Sequence, residues 1–312
     1  MMPVMLWGSG GPTQENSTST ATAVATALSV GFPGIDTANH YHNQDGVAQG
    51  IAAAKTGRKV WITTKVEPCG HSIITPILEG NCFNGTLSAH AQNLQQLKVK
   101  VVDLTLIHSP PCKLNSSWAD PLCYWPDQPD AIYPQHCNCA AAEPCAMMQQ
   151  QWRALEQVYK AGQTRAIGVS NFCKACLECI AEIAEVAPAV NQLQFHVGMP
   201  GPDPAGLISY TKAHNDTVVQ AYSPLAGDQH AKLLDNPTVT SIAQVHNKTT
   251  AQVALRWVLQ LGSPLATSTT NKQYMVEDLQ ACSGWELTSE EMGTLNALKI
   301  APDDPVKSMC LL

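Results

Sequence analysis

The sequence predicts a single α/β domain over residues 1–312, folded as a (β/α)8 TIM barrel with a long cysteine-rich loop after the fourth strand. Three observations carry that expectation. Eight short runs rich in β-branched and aliphatic residues recur along the chain, amphipathic segments lie between them, and 312 residues suit a barrel of that size. Strand alternating with helix predicts parallel strands covered by helices.

The first run, PVMLWG at 3–8, leads into GSGGPT. That turn fails the G-x-G-x-x-G spacing because position 13 is Thr, which argues against an open doubly wound sheet. A helical segment follows at 19–31, and then the second and third runs, GIDTA at 34–38 and VWITTKV at 60–66. A second helical segment at 86–98 precedes the fourth run, VVDLTLIH at 101–108. Residues 109–150 form the long loop, with Cys112, Cys123, Cys137, Cys139 and Cys145. Helical segments at 147–162 and 176–187 flank the fifth run, AIGVSN at 166–171. The sixth and seventh runs are VNQLQFH at 190–196 and TVVQAYSP at 217–224. In the segment 249–262, Ala251, Ala254, Leu255, Val258 and Leu259 keep helical spacing, and SPLATS at 263–268 closes the set.

The net charge of −7 and the lack of any Lys or Arg run give no footprint for nucleic acid. No stretch approaches about 18 apolar residues, so no membrane span is expected. The opening lacks the basic start and apolar run of a signal peptide, and a cytoplasmic monomer is expected. Twelve cysteines, and N-x-S/T triplets at Asn16, Asn84, Asn115, Asn215 and Asn247, pull toward secretion. The triplets are read as chance matches in a chain rich in Ser, Thr and Asn.

In a barrel of this kind the active site is built at the carboxyl ends of the strands. Asp36, Lys65 and His108 fall at that end of consecutive runs, and Tyr41 lies five residues beyond Asp36. Singly, each has an ordinary structural use: a helix cap, a solvated strand end, a core histidine, a packing aromatic. Together they make an acid: an ammonium beside a phenol favours the phenolate and draws the phenol toward the working pH range.

These segments resemble the aldo-keto reductase family across nearly the whole chain. IDTANHYHNQDGVAQGI, ITTKV, DLTLIHSP, AIGVSNF, NQLQFH, VVQAYSPL and WELTSEEMGTLNAL carry the likeness. The resemblance implies an NADPH-dependent carbonyl reductase. Tyr41 would protonate the carbonyl oxygen, Lys65 would be its ammonium partner, Asp36 would hold Lys65, and His108 would orient the substrate. It further implies that Ser170, Asn171 and Gln192 bind the carboxamide, that Tyr222 stacks on the nicotinamide, and that Ser223 and Leu225 line the pyrophosphate path. A small-molecule carbonyl is the implied partner, and no metal is expected. The other class of reading is a cofactor-binding subunit without catalysis.

Four departures stand out. The adenosine 2'-phosphate grip of the family, PKSxxxxR, aligns with Ser268 in place of the lysine, Thr269 in place of the serine and Tyr274 in place of the arginine. Lys272 and the hydroxyls of Thr269 and Thr270 remain nearby, so a weakened NADPH preference with NADH accepted is expected. Ser109 and Gly10 stand where the family carries aromatics, which predicts an opened pocket, a bulkier substrate, or refilling by the loop. The loop cysteines allow disulfides or free thiols about equally, with zinc beside His136 the weakest option. Cys173, Cys176 and Cys179 make a helical stripe, read as small hydrophobes packed on the barrel, with a soft-metal or redox cluster as the alternative.

Overall fold

The computed structural model describes residues 2–69, 81–110, 142–199 and 201–300. Eight strands among them close a barrel in chain order, every neighbour parallel and the last paired to the first. They are β1 (Met5–Gly8), β2 (Gly34–Asp36), β3 (Trp61–Val66), β4 (Leu104–Ile107), β5 (Ile167–Ser170), β6 (Val190–Gln194), β7 (Val218–Tyr222) and β8 (Leu265–Thr267). Each falls inside one of the eight predicted runs. β1, β2, β4, β5, β6 and β8 are buried at every position, because helices cover one face and packed side chains fill the other.

At the helices beginning with Ser17, Cys82, Pro237, Thr250, Lys272 and Ser289, a short polar side chain meets the first free amides. Asn16 caps α1 (Ser17–Val30) by accepting from the Ser19 N–H at 2.9 Å. After α2 (Gln44–Ala54) and α3 (Cys82–Leu97), α4 runs Ala142–Lys160 and α5 Lys174–Ala181. Beyond them come α6 (Leu207–Ala213), α7 (His230–Leu234), α8 (Pro237–His246), α9 (Thr250–Gln260), α10 (Lys272–Gln280) and α11 (Ser289–Ala297). Thr249 with Gln252, and Thr288 with Glu291, form reciprocal capping boxes on α9 and α11.

One helix contact depends on glycine. A Cβ at Gly46 of α2 would stand 2.3 Å from the Ser17 carbonyl oxygen, and one at Gly50 would stand 2.6 Å from that of Ala21. The two glycines let α2 lie directly against α1.

The cysteine reading requires correction. Cys173, Cys176 and Cys179 are buried in an apolar cluster as expected, but they are not thiols. Cys179 is bonded to Cys145 across α5 and α4, with the Cα atoms 5.7 Å apart, and Cys173 and Cys176 are disulfide-bonded as well. Cys145 itself belongs to α4, not to a loop. A further bond joins Cys69 to Cys82 at the start of α3, and Cys282 is the one free cysteine among the described residues. Cys112, Cys123, Cys137, Cys139, His136 and Asn115 lie outside the described residues, as does the tail from 301. Among the described residues no helix is long and apolar enough to cross a membrane.

Candidate active site

Strand register delivers the first three groups to one rim. Asp36 is the last residue of β2, Lys65 is one residue from the end of β3, and His108 follows β4 directly. The His108 N–H donates to the Val66 carbonyl at 2.9 Å, so β3 and β4 stay paired up to the site. Tyr41 arrives on a single 3-10 turn, Asn39–Tyr41, held by the bond from the Tyr41 N–H to the Ala38 carbonyl at 3.2 Å.

The Lys65 ammonium uses all three of its protons. It donates to Asp36 Oδ1 at 2.5 Å, to the Thr37 carbonyl at 3.2 Å and to the Tyr41 hydroxyl at 3.3 Å. Lys65 is 1% exposed and Asp36 4%, so this is a buried ion pair whose remaining valences must be met. They are: Gln192 on β6 donates to Asp36 Oδ2 at 2.7 Å and to Gln220 Oε1 at 2.9 Å. Burial works against the charged ammonium, yet Asp36 and then Tyr41 hold the Lys65 pKa above the ordinary lysine value.

For Tyr41 the balance differs from the expectation. Burial is the largest influence and raises its pKa, Lys65 pulls it down, and Asp36 pushes it up again, so the net shift is upward. The resting phenol keeps its proton at neutral pH. A charged neighbour lowers a phenol only when its attraction exceeds the desolvation of the phenolate, and here it does not.

The Tyr41 ring meets the His108 ring edge to face, with centroids 5.6 Å apart. On its other side it rests against backbone: a Cβ at Gly10 would lie 2.8 Å from Tyr41 Cζ. The room expected at Gly10 is filled by the Tyr41 ring itself. Ser109 is half-buried beside His108.

A second set continues from the first. The Asn171 amide donates to the His108 carbonyl at 2.9 Å and to Ser170 Oγ at 3.2 Å, and the Tyr222 hydroxyl donates to Asn171 Oδ1 at 2.8 Å. Ser170 Oγ donates to the Gln192 carbonyl at 3.0 Å. Asp36, Tyr41, Lys65, His108, Ser170, Asn171, Gln192 and Tyr222 therefore form one connected patch. Ser223 and Leu225 continue from Tyr222, with Ser223 in the left-handed backbone region at φ 47°. Ser268, Thr269 and Lys272 stand apart at the start of α10, where Ser268 and Lys272 are exposed and the Asn271 side chain caps the helix.

Two neighbours, and the role of a third, were not anticipated. Glu67 contacts His108 Nδ1 at 3.3 Å, Gln220 tethers Gln192, and Gly10 backs the phenol. Glu67 was readable: residues two apart on a strand share a face, so position 67 follows Lys65 toward the same rim. Burial raises the Glu67 pKa, but His108 and His40 outweigh it and leave the carboxyl below its ordinary range. Burial lowers the His40 pKa.

The residue types suit a nicotinamide. Both Gln192 amide protons are engaged, so among the described residues its Oε1 is left for an amide N–H, beside the hydroxyl of Ser170 and the amide of Asn171. A carboxamide presents a donor pair and an acceptor; Gln192 Oε1 complements the donor side, and the Ser170 hydroxyl and Asn171 amide, now bonded within the cluster, are the donors that suit its oxygen.

Comparison with known proteins agrees with this geometry. The Aldo/keto reductase family profile matches residues 5–300. Glyoxal reductase of Bacillus subtilis (strain 168) is 33% identical over 285 residues, covering 91% of this chain and 85% of that protein. The 9,11-endoperoxide prostaglandin H2 reductase of Trypanosoma cruzi is 31% identical, over 91% of this chain and 84% of its own length. An aldo-keto reductase from a Medee basin deep-sea metagenome library superposes with a TM-score of 0.74 at 25% identity, covering 96% of this chain and 91% of that one. A mutant of Gox0644 in complex with NADPH superposes with a TM-score of 0.72, also at 25% identity, covering 96% and 90%. With the closed parallel barrel and its strand-end cluster, these matches place the chain in the aldo-keto reductase family.

Proposed function

We propose that the chain reduces an aldehyde or ketone to the alcohol with NADPH or NADH, and that Tyr41 is the proton donor. One observation carries this reading: a buried Lys65 ammonium bonded at once to Asp36 Oδ1 (2.5 Å) and to the Tyr41 hydroxyl (3.3 Å). Family membership supports carbonyl oxidoreduction as the chemistry.

A bound nicotinamide would supply the hydride to the carbonyl carbon. Tyr41, still protonated at neutral pH, gives its proton to the carbonyl oxygen as negative charge develops there. The phenolate left behind faces Lys65, which Asp36 keeps charged, and solvent then restores the proton. Without the ammonium, that buried phenolate would bear the full desolvation cost. His108, edge-on to the phenol, is the group that would steady the substrate oxygen. Ser170, Asn171 and Gln192 would hold the carboxamide, and Tyr222, Ser223 and Leu225 would line the path from ring to pyrophosphate.

A carbonyl panel tests this, with glyoxal and other small dicarbonyls placed first because of the name carried by the Bacillus relative. NADPH oxidation is expected, and Tyr41→Phe should cut it by about a hundredfold or more while cofactor affinity stays the same. Cofactor binding without turnover of any carbonyl would favour a binding subunit instead.

The compartment proposed changes with the cysteines. Disulfides persist where the surroundings are oxidising, so Cys69–Cys82 and Cys145–Cys179 favour such a compartment over the expected cytoplasm. The triplet asparagines Asn16, Asn84, Asn215 and Asn247 are all exposed, which suits that setting. Counting thiols in denatured chain purified without reductant decides between the two.

A further inference from the structure

Among the described residues, Glu67 is a carboxylate beside the cluster that the reaction above leaves without a task. It stands just past β3, one residue beyond the Val66–Ile107 pair, and so faces the first residue after β4, which is His108. Its Oε1 lies 3.3 Å from His108 Nδ1 and also accepts the His40 backbone N–H at 3.1 Å. The side chains of His108 and Glu67 are 11% and 17% exposed, so the contact is largely shielded from water.

The backbone beneath it is pinned. Gln151 on α4 donates from Nε2 to the Glu67 carbonyl at 2.9 Å and accepts at Oε1 from the Cys69 N–H, also at 2.9 Å. Cys69 is in turn bonded to Cys82 at the head of α3. Helix, disulfide and strand end together fix where this carboxylate sits, and an acceptor fixed in place dictates which proton its neighbour carries. A carboxylate only accepts, so a ring nitrogen facing it bears the hydrogen.

We propose that Glu67 is a positioning residue for His108, holding the ring proton on Nδ1 and leaving Nε2 as the atom that meets a substrate oxygen. A carbonyl oxygen is also only an acceptor. With Nδ1–H committed to Glu67, Nε2 can donate to it only when the ring carries both protons, so the carbonyl-binding form of His108 is an imidazolium paired with the Glu67 carboxylate. Only this last step rests on the reductase reading; the tautomer does not.

The test separates the two. Long-range 1H–15N spectra of the full chain labelled at histidine, recorded where the ring is neutral and assigned by loss of signal in His108→Gln, should show the proton on Nδ1. Glu67→Ala should release that preference. In kinetics, Glu67→Gln should lower kcat for carbonyl reduction about tenfold to a hundredfold with cofactor Kd unchanged, the worth of one charge-assisted hydrogen bond. A wild-type ring protonated on Nε2 with bare Nδ1 overturns the proposal, as does an unchanged kcat in Glu67→Gln. If Glu67→Gln and Glu67→Ala fail to fold, the wild-type spectrum, assigned through His108→Gln, decides. If the wild type turns over no carbonyl, the reductase reading fails and the spectrum still judges Glu67.

Discussion

Gly10 sets the position of the phenol by having no side chain. Atoms Cζ, Cε2 and Cε1 of Tyr41 would stand 2.8, 3.0 and 3.2 Å from a Cβ built there, so even alanine must push the ring. The Tyr41 hydroxyl is already 3.3 Å from Lys65 and has little reach to lose. Gly10→Ala is expected to cut carbonyl turnover by about a hundredfold, the usual cost of misplacing a reacting group by an ångström. The backbone at Gly10 is not in the left-handed region, so the substitution acts through the ring and not through backbone strain. Wild-type turnover in Gly10→Ala would refute the role. At this scale the sequence was informative about groups with chemistry of their own: Asp36, Tyr41, Lys65 and His108 announced themselves as titratable residues at strand ends. Gly10 and Gln220 act through absence and through a tether, and neither leaves a mark on composition or spacing.

The strands were the most legible elements, since β-branched runs at regular intervals have few other uses. Helix α2 was hidden because Gly46 and Gly50, poor helix formers, occupy its interior, and their purpose is visible only once α1 is beside them. The stripe Cys173, Cys176, Cys179 showed the buried face correctly and its redox state wrongly; for Cys179 the partner is Cys145 of α4, which spacing cannot locate. The segment from β8 into α10 carries the cofactor expectation. Tyr274, 55% exposed, stands where the resemblance calls for an arginine, and the amides of Gln273 and Tyr274 are already taken by the Asn271 side chain. NADPH should therefore bind less than about a thousandfold tighter than NADH. Tyr274→Arg should raise NADPH affinity about tenfold or more and leave NADH unchanged, a guanidinium being suited to a phosphate. A thousandfold preference in the wild type, or no response in the variant, would defeat this account.

Stability against pH belongs to the whole molecule, and two buried groups oppose each other there. His90 is fully buried, and burial takes its pKa from 6.5 to about 4. The unfolded chain then binds a proton that the folded one refuses, so stability is lost as pH falls through that window. Asp278, 4% exposed, has its pKa raised from 3.8 to about 6, chiefly by burial and against the hydrogen bond from Thr267 Oγ1 at 3.0 Å. Here the folded chain holds the extra proton, so stability is lost as pH rises through about 4 to 6 and the full cost is present at neutral pH. At about 1.4 kcal/mol per unit, each contribution is about 3 kcal/mol, and between pH 4 and 6 the two slopes nearly cancel. Asp278→Asn removes one of them while keeping an acceptor for Thr267. In urea unfolding at pH 7 the variant should be more stable than the wild type by up to about 3 kcal/mol, and near pH 4 the advantage should vanish. Its stability should also climb between pH 4 and 6.5, where the wild type is nearly flat, because the His90 slope is no longer masked. An equal gain at both pH values would mean that the carboxyl of Asp278 titrates normally and that burial at this position costs nothing.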